Sequence, residues 1–291
     1  MTGKYYESDY EEALIELLKE QGWRYTYGKS ISRNNREPIL IDDFTRYLDH
    51  RYPDLTTNDI LEILNHLRHV GGQTHFDVLR NTYYLIRDGY RYTRHSDGKV
   101  FDIEYIDFES KSNWYRCVNQ LEIGYGLKSD IRIPDVLIYV NGIPLCIFEL
   151  KNPTDEKATI ADAYEQIHTR YKRDIPHLLR YCPLSCISDA TINNTKLGTT
   201  YTPYEHYYAW KKVNNEDPAA EKGLDQVKTI VAGVYHPHRF LEILRDYVYF
   251  PDRDYSKEEE IVCRYPQFFA TRMLRESVLN AFLEGDSKGG T

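Results

Sequence analysis

Residues 134–151 read Pro-Asp-Val-Leu-Ile-Tyr-Val-Asn-Gly-Ile-Pro-Leu-Cys-Ile-Phe-Glu-Leu-Lys, and no other stretch limits the fold as tightly. Val136 to Val140 and Leu145 to Phe148 are rich in β-branched and aromatic residues, and Asn141-Gly142 between them accepts the positive φ of a tight turn, so a β-hairpin is expected. Strand side chains alternate, which sends Glu149 and Lys151 to one face and Leu150 to the other. Asp135 opens the first strand and Glu149 closes the second. Two carboxylates and an ammonium therefore meet at the rim of an oily sheet, where unpaired charge costs on the order of several kcal/mol. A divalent cation offsets that cost: Mg²⁺ prefers oxygen ligands and commonly takes one or two protein carboxylates, with water and phosphate completing its shell.

Register decides whether this chemistry is available. A strict two-residue turn at Asn141-Gly142 places Asp135 opposite Phe148 and sends Glu149 to the wrong face. A three-residue loop through Ile143, or an equivalent bulge, places Asp135 opposite Glu149. The longer loop or the bulge is the expectation.

With these residues in hand, the segment resembles the PD-(D/E)xK nuclease core. In its longer form, through Asn152-Pro153, it resembles the restriction subunit of type I restriction-modification enzymes. The likeness extends upstream to Ile106-Asp107-Phe108, Asn113 and Asn119-Gln120. Downstream it takes in Ala163 to Ile167, Tyr171 to Pro176 and Ile187-Ser188-Asp189. By eye it runs from about residue 8 to the C-terminus. The resemblance implies a Mg²⁺-dependent endonuclease in which Asp135, Glu149 and the Leu150 backbone carbonyl hold the metal and Lys151 orients the attacking water. It also implies double-stranded DNA as substrate, methylation and specificity subunits as partners, and ATP-driven translocation by a motor in the longer protein. Gln166 and Tyr171 match the family's Gln/Tyr motif but are separated by four residues where the family has three, so their acting as a pair is left open.

Glu11 is the candidate for an additional carboxylate. At about 100° per residue it lies about 60° from the centre of its helix's apolar stripe, whereas Glu12 lies on the far side; the alternative is a helix-start glutamate that favours the macrodipole. Lys151 has the alternative of a structural ion pair with Glu149. Two basic-aromatic patches are candidates for phosphate contact: Arg87, Arg91 and Arg94 with Tyr90 and Tyr92, and Arg170, Lys172 and Arg173 with Tyr171. Solvated surface charge is the competing reading for both.

Composition limits the rest. At 291 residues there is room for one large or two modest cores. A net charge of −8 argues against a protein that coats DNA indiscriminately. No run approaches the ~18–20 apolar residues of a membrane helix, and Met-Thr-Gly-Lys carries no signal core, so a cytoplasmic protein without membrane contact is expected. Five cysteines, at 117, 146, 182, 186 and 263, make no disulfide framework, and Cys182 and Cys186 lack the partners of a zinc set. His66 and His69, at helical spacing, are expected at a solvated or core edge.

Patterning predicts an α/β fold: a mixed central sheet flanked by helices, restriction-endonuclease-like, with a short helical C-terminal segment. Helices are expected over residues 10–21, 43–52, 58–70, 76–88, 158–172, 240–249 and 263–283. Besides the central hairpin, strands are expected within 90–108, at 117–123, at 184–188 and around 207–210. The division is set at 1–230 for the nuclease domain and 231–291 for the helical start of a motor. No Gly-x4-Gly-Lys-Ser/Thr occurs, so the chain is expected to stop before the family's phosphate-binding loop. Gln267, in Arg264-Tyr265-Pro266-Gln267, resembles the motor's adenine-contacting glutamine and would bind nucleotide in the full-length protein alone. The competing function is a DNA-binding or docking module with a vestigial nuclease site.

Overall fold

The computed structural model describes residues 7–109, 112–126, 130–151, 159–189, 195–220, 223–251 and 258–283. Asn152-Pro153, residues 127–129, most of the 251–260 loop and the 285–291 tail lie outside them. Chain order runs α1 (Glu7–Glu20), β1 (Arg24–Tyr27), α2 (Ile41–Arg51), α3 (Thr57–Arg68), α4 (His75–Asp88), β2 (Tyr90–Thr93), β3 (Val100–Ile103), β4 (Tyr115–Asn119), β5 (Ile123–Tyr125), β6 (Asp130–Arg132), β7 (Val136–Val140) and β8 (Ile143–Leu150). It continues with α5 (Ile160–Glu165), a π-helical turn over Gln166–Tyr171, α6 (Lys172–Asp174), α7 (Pro176–Leu179), β9 (Leu184–Ser188) and β10 (Thr195–Gly198). The last elements are α8 (Gly223–Val234), α9 (Pro237–Asp246), β11 (Val248–Tyr249), β12 (Ile261–Val262) and α10 (Tyr265–Leu283).

The helix starts follow local chemistry. Thr56 with Asp59 and Thr74 with Asp77 form capping boxes at α3 and α4, each satisfying two backbone donors that a helix start leaves open. Gly22 and Gly89, at φ +99° and +83°, end α1 and α4.

A six-stranded mixed sheet in the order β1-β4-β7-β8-β9-β10 forms the centre. β1 runs parallel to β4 and β8 to β9, while the other neighbours are antiparallel. Every residue of β7 and β8 is buried. Alternation splits them between two cores. Val136, Ile138, Val140, Phe148 and Leu150 join the core that includes α1, and Leu137, Tyr139 and Ile147 join the core under α5 and the π-turn.

The central hairpin uses the bulge. Asn141 and Gly142 sit at φ +52° and +78° in a two-residue turn, and Val140 pairs with Ile143 and Tyr139 with Pro144. The register then shifts between Ile138 and Tyr139, so that Ile138 pairs with Cys146 and Val136 with Phe148. Leu145 is the extra residue. Continued by one pair, this register sets Asp135 against Glu149. The turn itself is fixed from outside. Asn141 Oδ1 accepts from Trp114 N–H at 2.8 Å, and its Nδ2 donates to Tyr105 O and Asn113 Oδ1 at 3.0 and 2.8 Å. Asn113 in turn clasps the Asp107 backbone. The Asp107 and Asn113 runs thus brace the turn, at the opposite end of the hairpin from the carboxylates.

The two edge strands of the sheet differ from the sequence expectation. The edge strand β10 lies at Thr195–Gly198, and residues 207–210 contribute a single bridge, Leu197 to Tyr208. Gly198 makes room for the Tyr207 ring, since a Cβ there would lie 2.6 Å from it. β1, where no strand was expected, is four residues long and pairs along the open edge of β4. α8 and the residues after it pack on the same core as the sheet: Trp23 Nε1 donates to Tyr235 O at 2.5 Å, and Tyr83 OH to Leu244 O at 2.8 Å.

Candidate active site

Glu149 and Lys151 leave β8 on the face covered by the π-turn, and four side chains close a ring there. Lys151 Nζ donates to Glu149 Oε1 and to Gln166 Oε1, both at 3.0 Å. Gln166 Nε2 donates to the Tyr171 hydroxyl at 2.8 Å, and that hydroxyl faces Glu149 Oε2 at 3.1 Å and the Ile133 carbonyl at 3.3 Å. The ring fixes the Gln166 amide: its oxygen takes the ammonium and its nitrogen the phenol. Lys151 N–H donates to Ser188 O at 2.8 Å, which extends the β8–β9 ladder by one residue and sets the direction of the lysine. Leu150 N–H donates to Asp135 Oδ2 at 2.6 Å, anchoring the second carboxylate beside the first.

The π-turn explains how Gln166 and Tyr171 meet. Four intervening residues put two positions out of line in an α-helix. A turn with i→i+5 bonding takes up one more residue, and the π-segment spans these two residues end to end. The extra residue is absorbed, and the pair that spacing left open is in direct contact.

Electrostatics single out Glu149. It is 1% exposed, and burial first, then the neighbouring Asp135 charge, push its carboxyl well above the usual range. Lys151 and Tyr171 pull the other way. The Tyr171 phenol is pushed up by burial and by Glu149, and stays a neutral donor. A buried carboxyl whose proton affinity is raised by burial and by a second carboxylate beside it is a donor set that a hard divalent cation relieves. Among the described residues no three His, Cys, Asp or Glu gather into a metal-holding cluster. Two carboxylates with the backbone between them are a donor set of the kind a partly hydrated Mg²⁺ takes.

Glu11 is buried on α1 and Glu12 is exposed. Glu11 Oε1 accepts from Asn119 Nδ2 at 2.5 Å and Oε2 from Gln120 Nε2 at 3.0 Å. Gln120, at φ +51°, also gives its N–H to Asp135 O at 3.4 Å. Asn119-Gln120 therefore couples the α1 carboxylate to the backbone that carries Asp135, a role that neither spacing nor polarity announced. Tyr10 adds a second tie between α1 and this end of the sheet, its hydroxyl lying 2.7 Å from Ser188 Oγ.

The basic patches do not hold together. Arg87, Arg91 and Arg94 pair with Asp88, Asp102 and Asp59 at 2.6, 2.9 and 3.0 Å, the bland reading of that run. In the second run Arg170 is exposed and Arg173 is held by Asp174 at 2.7 Å. Lys172 turns to lie 3.6 Å from the centre of the Tyr201 ring, with its ammonium pushed down to about 8 by burial. Arg170 and Arg173 are the exposed cations of that run. Cys117, Cys146, Cys182 and Cys186 are buried free thiols. His66 stacks on Tyr90 at 3.9 Å, and His69 Nδ1 lies 2.7 Å from Asn65 O. Gln267 Oε1 accepts from Arg264 N–H at 2.8 Å and caps the start of α10.

A mixed sheet flanked by helices, with a hairpin ending in paired carboxylates and a lysine, defines a restriction-endonuclease-like fold. Residues 4–205 match the family model described as the type I restriction enzyme R protein N terminus, and the chain belongs to that family. It is 30% identical over 302 aligned positions, covering 98% of this chain, to the type I restriction enzyme HindI endonuclease subunit of Haemophilus influenzae. It is 23% identical over 303 positions, covering 95% of this chain, to the putative type I restriction enzyme MjaIXP endonuclease subunit of Methanocaldococcus jannaschii. The chain spans 28% of the length of each.

Proposed function

We propose that this chain is the nuclease part of a type I restriction subunit and hydrolyses DNA phosphodiester bonds with Mg²⁺. The observation that carries the reading is the closed ring of Glu149, Lys151, Gln166 and Tyr171 beside Asp135. Asp135, Glu149 and the Leu150 carbonyl would hold the cation. Once bound, it supplies Lewis-acid polarisation of the scissile phosphate and a more acidic water. Lys151 orients the attacking water and offsets the charge that develops on the phosphorane, while Gln166 and Tyr171 keep the lysine and Glu149 in place. Glu11, steadied by Asn119 and Gln120, is the additional carboxylate of the site, and Arg170 and Lys172 are the cations of the second basic run that contact the DNA backbone.

In the longer protein, residues from 231 onward would lead into an ATP-driven motor with Gln267 near the nucleotide. Methylation and specificity subunits would deliver double-stranded DNA, in the cytoplasm. No helix among the described residues is long and apolar enough to cross a membrane.

Nicking of supercoiled plasmid tests the reading. The expected result is cleavage that needs Mg²⁺ and falls on the order of 10²-fold or more in Lys151→Ala, the size of loss seen when a preorganised group at the transition state is removed. Wild-type cleavage by Lys151→Ala would make the lysine structural, and Mg²⁺-independent cleavage would reject the site. Metal-free and metal-loaded DNA binding without any cleavage would favour the docking module.

A further inference from the structure

Strand β1 forms the outer edge of the six-stranded sheet and pairs on one side with β4. Its Tyr25 and Tyr27 are 40% and 43% exposed. Two residues apart, they point to the same face, the face of their register partners Cys117 and Asn119. That face leads to the site. Tyr25 OH donates to Asn119 Oδ1 at 3.0 Å, and Asn119 Nδ2 donates to Glu11 Oε1 at 2.5 Å, so one exposed ring is joined through a single amide to the buried carboxylate. Lys29, exposed and two residues past Tyr27, adds positive charge at the end of the strand.

We propose that Tyr25 and Tyr27 form a stacking platform for unpaired bases of the DNA strand entering the site. Exposed aromatic rings beside basic residues suit single strands, because every base offers a π-face that duplex pairing hides. Spacing favours an opened strand as well. Positions two apart on a strand are separated by about 6.6 Å, roughly twice the ~3.4 Å rise per base of a stacked duplex strand. The platform rests on the nuclease reading of the neighbouring carboxylates, since it names the strand that reading cuts.

The test is fluorescence anisotropy of a labelled oligodeoxythymidine and of a duplex of equal length, in EDTA and low salt, with melting curves to confirm that each variant folds. Tyr25→Ala and Tyr27→Ala should each weaken single-strand binding about 5- to 100-fold. Duplex affinity should change less than about twofold, and Tyr27→Phe should keep wild-type affinity. Absent single-strand binding by the wild type, unchanged affinity in both alanine variants, equal loss on duplex, or a Tyr27→Phe as weak as Tyr27→Ala would each overturn the platform. Binding in EDTA needs no cleavage, so the two readings fail separately. Tyrosine-dependent binding without Mg²⁺-dependent nicking rejects the nuclease and leaves the platform, and nicking without tyrosine-dependent binding rejects the platform alone.

Discussion

Glu149 is the residue on which the site's energetics turn. Its charge is disfavoured by burial and by Asp135, and Lys151 and Tyr171 hold it in place. Removing the charge while keeping a hydrogen-bonding oxygen relieves the repulsion at little loss of packing. Glu149→Gln is therefore expected to melt at the same temperature or higher than wild type without metal, and to lose calorimetric Mn²⁺ binding. Unchanged Mn²⁺ affinity would remove Glu149 from the ligand set. Asp135, Glu149 and Lys151 were legible in the sequence because an alternating strand pattern dictates their face, and a helical stripe likewise chose Glu11 over Glu12. The Asn119-Gln120 clasp on Glu11 was not. It joins residues 108 and 109 positions apart, and no local pattern encodes such a meeting.

Among the elements, the π-turn bears most on the site. Its i→i+5 bonding is a poorer arrangement than an α-turn, retained here where it brings Gln166 to Tyr171. Deleting the exposed Thr169 restores three intervening residues, so the segment should relax to α-helix, keep the Gln–Tyr contact, and hold or raise the melting temperature. A collapse of the fold or loss of cleavage would show that the π geometry itself is required.

The next turn is pinned by Asp174, held at about 2 chiefly by its bond to Arg173, with Arg132 of β6 adding to it. Its folded value lies below the ordinary 3.8. The stabilisation is therefore complete above about pH 4 and lost as pH falls through about 2. Asp174→Asn should cost roughly 0.5–1 kcal/mol at neutral pH, since solvent screens the exposed Arg173 partner, and flatten the acid limb of a melting-temperature profile across that window; an unchanged profile would discard the pairing. Helices with capping boxes and glycine stops were readable to within a few residues, as at α3 and α4. The strands β1 and β10 were missed because short edge strands owe their existence to a neighbour rather than to their own pattern.

For the whole molecule, one fact organises the rest: the chain gathers Glu149, Lys151, Gln166 and Tyr171 beside Asp135 at one end of β7 and β8 and braces the other end with Asp107, Asn113 and Asn141. The net charge of −8 leaves DNA to be held by local features such as Arg170, not by an overall field. On α10 the residues Leu274, Val278 and Phe282 stand 62%, 54% and 82% exposed, an apolar side that gives no packing to the described fold, and this explains why a helical tail was legible while its partner surface was not. Everything proposed for this site turns on whether Asp135 and Glu149 together hold a divalent cation. Crystals soaked in Mn²⁺ test it most directly. The expected result is an anomalous scattering peak between the Asp135 and Glu149 carboxylates and beside the Leu150 carbonyl. Full Mn²⁺ exposure with no peak at that position would contradict it.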